Sequence, residues 1–351
     1  MRRPLTLALL PLTALAQIPT AATFWNTGSR FVGSAQCATC HVAEARKFHA
    51  SSMSRALEPI AQCAILASDV HFTFTNGEYR YSISREAGKV LYRVTNGKEE
   101  IAVPLEFAFG QGRAGQTYVF SLDGQFYESR VSYYAELKGL DLTVGAGNST
   151  PTDLRSAAGR PMEGKEPREC FGCHTTGARR ATTLQLDHYE PGVQCESCHG
   201  PGGDHVDSIK AGHVKPGSIR SLAKMDPEQS SEFCGSCHRT WQTVMMMGIK
   251  GVNTARFPAY RLTSSPCFSL TDQRISCTAC HDPHGGLVTD DKFYDAKCLA
   301  CHSAGSAGKV CSVAKQNCTS CHMQRVSPPE AHHAFPDHWF RIVRSKGDYP
   351  E

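Results

Sequence analysis

The chain has no hydrophobic run long enough to cross a bilayer as a helix. Its one sustained apolar stretch, Leu5 to Leu15, is short and broken by Pro11, whereas a spanning helix needs about 20 apolar residues. Charge of one sign is also scarce. The 37 Lys and Arg against 33 Asp and Glu leave a formal +4, which gives no basic footprint for nucleic acid. Aromatic residues are only 9% and all apolar residues 40% of the 351 positions, so side chains alone predict a thin core. Arg2 and Arg3 stand ahead of the apolar run and Ala14-Leu15-Ala16 closes it, the pattern of an export signal over residues 1–16. A retained anchor is the other reading of that run. The expectation is a protein of the periplasm or cell exterior, soluble after signal cleavage, in a compartment that permits disulfides.

Cysteine, by contrast, is abundant, with 17 residues, and 14 of them fall in seven copies of Cys-x-x-Cys-His. The copies are Cys37–Cys40–His41, Cys170–Cys173–His174, Cys195–Cys198–His199, Cys234–Cys237–His238, Cys277–Cys280–His281, Cys298–Cys301–His302 and Cys318–Cys321–His322. The two thiols of such a unit can add to the two vinyl groups of one haem while the His takes the proximal position at the iron. Paired Cys-x-x-Cys units also build zinc sites, but zinc has no need of a His directly after the second Cys, and every pair here has one. Seven units predict seven covalently bound c-type haems. Stacked macrocycles would supply the apolar surface that the side chains lack. The predicted fold class is therefore α+β, mostly short helices and irregular coil wrapped around seven haems, with an inserted small antiparallel β-sheet. Without haem the chain is expected to be largely unfolded.

Four segments follow. After the signal at 1–16, residues 17–69 form an N-terminal segment with one haem unit and a helix-like stretch from Val42 to Leu57, which would set His49 and Met53 on one face. Residues 70–144 contain no Cys and alternate in period two at Phe72–Thr75, Tyr79–Ile83, Val90–Val94 and Thr117–Leu122. Asn76-Gly77, Asn96-Gly97 and Asp123-Gly124 fall between such runs as turn signals. Residues 145–351 carry the other six units at short intervals, with short helices predicted at Glu228–His238, Asp295–His302 and Asp337–Arg344. Short spacing places the second and third, fifth and sixth, and sixth and seventh units close together.

The group opposite each proximal His decides between electron transfer and chemistry at the iron. Nine His lie outside the units. His205 ends Cys-His-Gly-Pro-Gly-Gly-Asp-His and His284 ends Cys-His-Asp-Pro-His, where Gly and Pro turn the backbone directly after a unit. His333 and His338 follow the last unit and could return the chain over earlier ones. His71, His188 and His49 stay open between ligand and surface residue, while His213 and His332 read as surface. Met53 could supply a thioether, and Met245, Met246 and Met247 read as packing. Of the remaining thiols, Cys63, Cys267 and Cys311, the last two are expected either to form a disulfide or to stay unpaired.

These motifs together, Cys-His-Gly-Pro-Gly-x-x-His, Cys-His-Asp-Pro-His and a terminal Cys-His-Met with a later Phe-x-Asp-His, resemble the multihaem c-type cytochromes of the cytochrome c-554 and doubled CXXCH kind, relatives of pentahaem nitrite reductase and hydroxylamine oxidoreductase. The likeness is strongest over Cys170 to His338. It implies bis-His haems in close parallel or perpendicular pairs, with His205, His284, His333 and His338 as distal ligands, Met53 serving one haem near the N-terminus, and His71 a further one. Two departures stand out. No Cys-x-x-Cys-Lys unit of the nitrite reductase kind occurs, and no cross-linking Tyr of the hydroxylamine enzymes can be placed.

The leading functional expectation is an electron carrier without catalytic residues, exchanging electrons with redox proteins such as other cytochromes or a membrane quinol-oxidising complex. One alternative is an oxidoreductase acting on nitrite, hydroxylamine or a similar small compound at one open haem, with Arg179, Arg180 or Arg239 as generic anion-binding groups. Another is a subunit of an extracellular electron conduit that docks through the sheet.

Overall fold

The computed structural model describes residues 29–343 and Tyr349, apart from 69, 271, 273, 306 and 307. The export signal predicted over residues 1–16 lies outside the described residues. Among the described residues no helix is long and apolar enough to cross a membrane.

The Cys-free region folds as an antiparallel sheet. Strands β1 (Leu57–Pro59), β2 (His71–Asn76), β3 (Tyr79–Glu86), β4 (Lys89–Thr95), β5 (Glu100–Phe109), β6 (Gln116–Leu122), β7 (Gln125–Tyr134), β8 (Gly139–Leu142) and β9 (Gly159–Pro161) make it up. Strands β2 to β8 run up and down in sequence order, β1 adds to β5, and β9 adds to β7. The turn residues do the work their chemistry predicts. Asp123 and Gly124, between β6 and β7, both adopt positive φ, 54° and 79°, as a two-residue hairpin turn of the twist-matched kind requires.

Strand β5 turns a corner. Its residues 100–104 pair with β4, whereas Leu105 to Phe109 pair with β6, with a register shift between Leu105 and Phe107. Pro104, which has no N–H to give, sits where the ladder changes partner, so the missing donor falls where pairing is already interrupted. The sheet curls until β2 packs against β8. Its concave side buries Tyr81, Ile83, Tyr92, Val94, Leu105, Tyr118, Phe120 and Val131. Helix α3 (Leu154–Ala158), capped by Asp153, closes one side of this core, and the Tyr92 hydroxyl donates to the Ala158 carbonyl at 2.9 Å. The sheet is thus larger than the small insert read from sequence and draws in residues on both flanks of 70–144. Strand β1 escaped notice because three residues carry no periodicity, and β7 because it is buried on both faces over Ser129 to Ser132, which erases alternation.

The rest of the chain is short helices: α1 (Ser34–Ala38), α2 (Val42–Phe48), α4 (Glu166–His174), α5 (Cys195–His199), α6 (Gly203–Lys210), α7 (Pro227–His238), α8 (Trp241–Met247), α9 (Pro258–Leu262), α10 (Cys277–Cys280), α11 (Asp291–His302) and α12 (Cys318–His322). Two small ladders join them, β10 (Thr175–Thr176) with β11 (Glu190–Pro191), and β12 (Arg325–Val326) with β13 (Phe335–Pro336). The helices predicted at Glu228–His238 and Asp295–His302 are present as α7 and α11.

Two predicted helices are not formed as expected. The stretch from Val42 ends as helix α2 at Phe48, because Ser51 Oγ accepts the Met53 N–H and Ser54 Oγ donates to the Ser51 carbonyl, local bonds that compete with the helix ladder. His49 and Met53 therefore do not share a helical face. The segment from Asp337 to Val343 is extended, since the N–H groups of Arg341 and Val343 donate to the carbonyls of His322 and Cys321 instead of to their own segment.

A second apolar cluster ties the sheet to the helical part. Phe171 is fully buried and meets Phe107 and Phe109 edge-on, at 4.9 and 5.1 Å between ring centres, with Leu57 and Ala178 alongside. Phe171 lies between Cys170 and Cys173, so this packing fixes the second unit against β5. Replacing Phe171 by Ala is expected to cost about 3–5 kcal/mol, read as a fall in the thermal midpoint of the haem-loaded protein. An unchanged midpoint would show that the sheet and the second unit are not mechanically coupled.

Candidate functional site

In each unit the two Cys are three residues apart and the His four from the first Cys, a spacing that puts all three on one face of a helical turn. Every unit lies on such a turn. Units 2, 4 and 6 end α4, α7 and α11, units 3 and 7 form α5 and α12, and units 1 and 5 lie at α1 and α10. In those last two the His N–H closes the turn onto the first Cys carbonyl, His41 to Cys37 at 2.9 Å and His281 to Cys277 at 3.0 Å.

The structure brings three proximal imidazoles opposite three of the His singled out as distal ligands. The ring centres of His41 and His205 are 6.5 Å apart, those of His199 and His284 6.1 Å, and those of His281 and His338 6.2 Å. Two imidazoles bound from opposite sides to one metal, each with its nitrogen at about 2 Å, have ring centres roughly 6 Å apart. The residues thus fit a six-coordinate iron between each pair. His199 and His284 are parallel to within 3°, and the other two pairs are tilted by 30° and 41°.

The second nitrogen of several rings is engaged as a metal ligand requires. Nδ1 of His174, His199, His302 and His338 lies 2.9 to 3.0 Å from the carbonyls of Ala56, Arg220, Lys309 and Pro336, so the Nδ1–H donates there and Nε2 is left free. Burial pushes His338 down to about 4 and also lowers His174, His238 and His281, which keeps these rings in the neutral form that binds metal.

The units form one cluster. Thiols of different units lie near enough to shift each other's ionisation, Cys37 with Cys195, Cys173 with Cys237, Cys234 with Cys277, and Cys298 with Cys318. Helix α10 packs on α11, joining units 5 and 6, and Thr176, just after unit 2, hydrogen-bonds Ser197 of unit 3 at 2.5 Å. Among the described residues no three or more His, Cys, Asp or Glu gather to hold a bare metal ion.

Buried carboxylates hold the cluster together, and sequence reading missed them. Glu196, inside unit 3 and 1% exposed, accepts the N–H groups of Val32 (2.9 Å), Gly33 (2.8 Å) and Gly202 (2.7 Å). The half-buried Glu190 accepts the Ser34 N–H at 2.9 Å. Together they dock the segment ahead of unit 1 onto unit 3. Gly203 lets this happen, since a Cβ there would lie 2.6 Å from Arg30 Cγ. That close approach sets α6, and with it His205, over His41. Asp295 of α11 does the same for unit 7, accepting the N–H groups of Asn317 and Cys318 at 2.7 and 2.8 Å. A Glu between the two Cys of a unit gives no hint that it faces inward, because the sequence shows its polarity and not its donors.

The other candidates lie elsewhere. His71 is exposed on β2, and His333 contacts Phe335 and sits 3.8 Å from Glu136. Neither ring meets a proximal imidazole. Met53 follows α2, with its carbonyl accepting the Val193 N–H. His49 caps α2, His188 and His213 are exposed, and His332 Nε2 is bonded to Asp141 at 2.8 Å. Met245, Met246 and Met247 are not packed in a core, as the sequence reading had them, but are 54%, 81% and 47% exposed, because only Val244 of α8 faces inward. Cys267 and Cys311 are free thiols, so the disulfide is not formed; Cys267 faces Cys298 and Cys301 instead. Arg180 stacks on Phe31 at 4.9 Å, while Arg239 follows His238 at φ 64° and acts on the His174 ring.

Residues 147–200 match the family described as cytochrome c554 and c-prime. The matched stretch contains units 2 and 3, and it supports a c-type cytochrome that binds haem covalently. Among solved structures, the outer cell wall cytochrome OcwA aligns with 59% of this chain and 37% of its own, at 18% identity and a TM-score of 0.31, a likeness too distant to say more. No curated protein matches.

Replacing Glu196 by Ala strands three donors, one buried and two half-buried, and at about 1–3 kcal/mol for a buried unsatisfied group the loss should exceed that of any surface carboxylate. Hydrogen exchange of the haem-loaded protein should show Val32 and Gly33 losing protection first, with Glu196→Gln in between. Unchanged protection at those two amides would rule the clamp out.

Proposed function

We propose that the chain is a multihaem c-type cytochrome whose work is electron transfer, with seven haems attached at the seven units. The observation that carries this reading is the set of three imidazole pairs at 6.1 to 6.5 Å, each uniting a unit His with one outside the units. Bound haem would supply reversible one-electron chemistry at iron. The chain's own residues do the rest. The Cys thiols would hold each haem covalently, and the pairs His41 with His205, His199 with His284, and His281 with His338 would each ligate one iron and so leave no place there for a substrate. Backbone carbonyls orient the rings through Nδ1, and contiguous units keep successive centres close. Met53, His71 and His333 remain the proposed distal groups for haems of other units. The export reading of residues 1–16 places the protein in the periplasm or outside the cell, with redox proteins or a membrane quinol-oxidising complex as partners.

A second reading is supported by a specific feature. Among the described residues His174, His238, His302 and His322 make no ring contact with a second imidazole, and burial, helped by the charge of Arg239, disfavours the charged form of His174. An oxidoreductase with one open iron at unit 2 would use that arrangement.

Pyridine haemochrome analysis should return seven haems per chain. His205→Ala should keep that number and convert one low-spin ferric signal to high spin in EPR, and the same signal should persist in the wild type. A mutant spectrum identical to wild type would overturn the pairing of His41 with His205. Stoichiometric carbon monoxide binding by the reduced native protein would favour the oxidoreductase.

A further inference from the structure

We infer that Arg261 and Asp337 are a positioning pair that aims His338 at the iron shared with His281, an inference resting on the bis-His reading of that haem. Both side chains are fully buried, and they meet fork to fork, Arg261 Nε–H donating to Asp337 Oδ1 and Nη2–H to Oδ2, each at 2.8 Å. Two parallel charge-assisted bonds fix orientation as well as distance, because the guanidinium plane and the carboxylate plane must coincide. The guanidinium is itself held flat between two rings, with Trp339 at 4.7 Å and Tyr349 at 4.8 Å.

Asp337 directly precedes His338 and is anchored on every side. Its N–H donates to the Gln324 carbonyl at 2.8 Å, and its carboxylate also accepts the Trp339 N–H at 3.0 Å and Arg341 Nη1–H at 2.5 Å. The His338 backbone is held from the same direction as Arg261. Ser265, just beyond α9, donates its Oγ–H to the His338 carbonyl at 2.7 Å, and its Oγ accepts the Phe340 N–H at 2.9 Å. Helix α9 and the adjoining Ser265 thus grip residues 337, 338 and 340, and the ring of His338, its Nδ1 bonded to the Pro336 carbonyl at 3.0 Å, is centred 6.2 Å from that of His281. Helix α9 in turn packs on α7, the helix that carries unit 4.

Stability alone does not account for this pair. A buried ion pair is often no more stabilising than apolar side chains of the same volume, since desolvation offsets the attraction. What apolar residues cannot supply is direction. The extended segment from Asp337 to Val343 has no helix of its own to orient His338, so the orientation comes from α9.

The test uses haem-loaded full-length protein, with haem number checked by pyridine haemochrome in every variant. His338→Ala should convert one low-spin haem to high spin, and if it does not, the bis-His reading of that haem fails independently of the pair. Given that conversion, Arg261→Gln and Asp337→Asn should turn at least half of the same signal high-spin with haem number unchanged, and Arg261→Lys should fall between. Ser265→Ala, a milder change, should leave the haem low-spin but shift its g values, and it keeps the test open where the Arg261 variants do not mature. Wild-type g values and spin state in the folded Arg261→Gln variant, or in Ser265→Ala where that variant is absent, would overturn the inference.

Discussion

Two imidazoles that share one metal must be held with their ring centres roughly 6 Å apart and facing each other, and no single helical turn can supply both. The unit itself places only the proximal ring. An opposite ring has to come from a distant part of the chain, and three such rings do. His205 follows unit 3 and faces unit 1, His284 follows unit 5 and faces unit 3, and His338 follows unit 7 and faces unit 5. Units 1, 3 and 5 are therefore each faced by a His from the segment after the next odd-numbered unit. The chain is laced back over its own Cys-x-x-Cys-His units.

Such lacing explains why so little regular core is needed outside the sheet. The longest helices bearing units, α7 and α11, have 12 residues each, below the length at which an isolated helix holds in water. In place of apolar contacts, carboxylates gather backbone N–H groups from other segments: buried Glu196 and half-buried Glu190 for the segment ahead of unit 1, and buried Asp295 for unit 7, while buried Asp337 ties down the segment that presents His338. Each bond of this kind is charge-assisted and directional, so it fixes position where a thin apolar contact would slide. The sheet, with its own tyrosine-rich interior, stands on a conventional core and meets the cluster through Phe171.

Much of this was legible from residues alone. The Cys-x-x-Cys-His spacing announces the units, and the Gly-Pro turns after units 3 and 5 point to His205 and His284 because a turn there leaves the ring free to reach another site. His338 was legible through its place after the last unit. His71 was suggested by the resemblance alone and His333 by its place after the last unit; one ring is exposed on β2 and the other contacts Phe335. Runs of Ser in place of helix formers defeated the helix predicted through Met53. Arg261, Glu196 and Asp295 were invisible for a different reason. Each is an ordinary charged residue whose partners lie far along the chain or in the backbone.

The central claim is that an iron lies between each of three particular imidazole pairs. Anomalous diffraction at the iron edge from crystals of the haem-loaded protein tests it most directly. The account predicts seven iron peaks per chain, with one midway between His41 and His205, one between His199 and His284, and one between His281 and His338. A peak at any of those proximal His whose opposite ligand is another residue, or none, would contradict it.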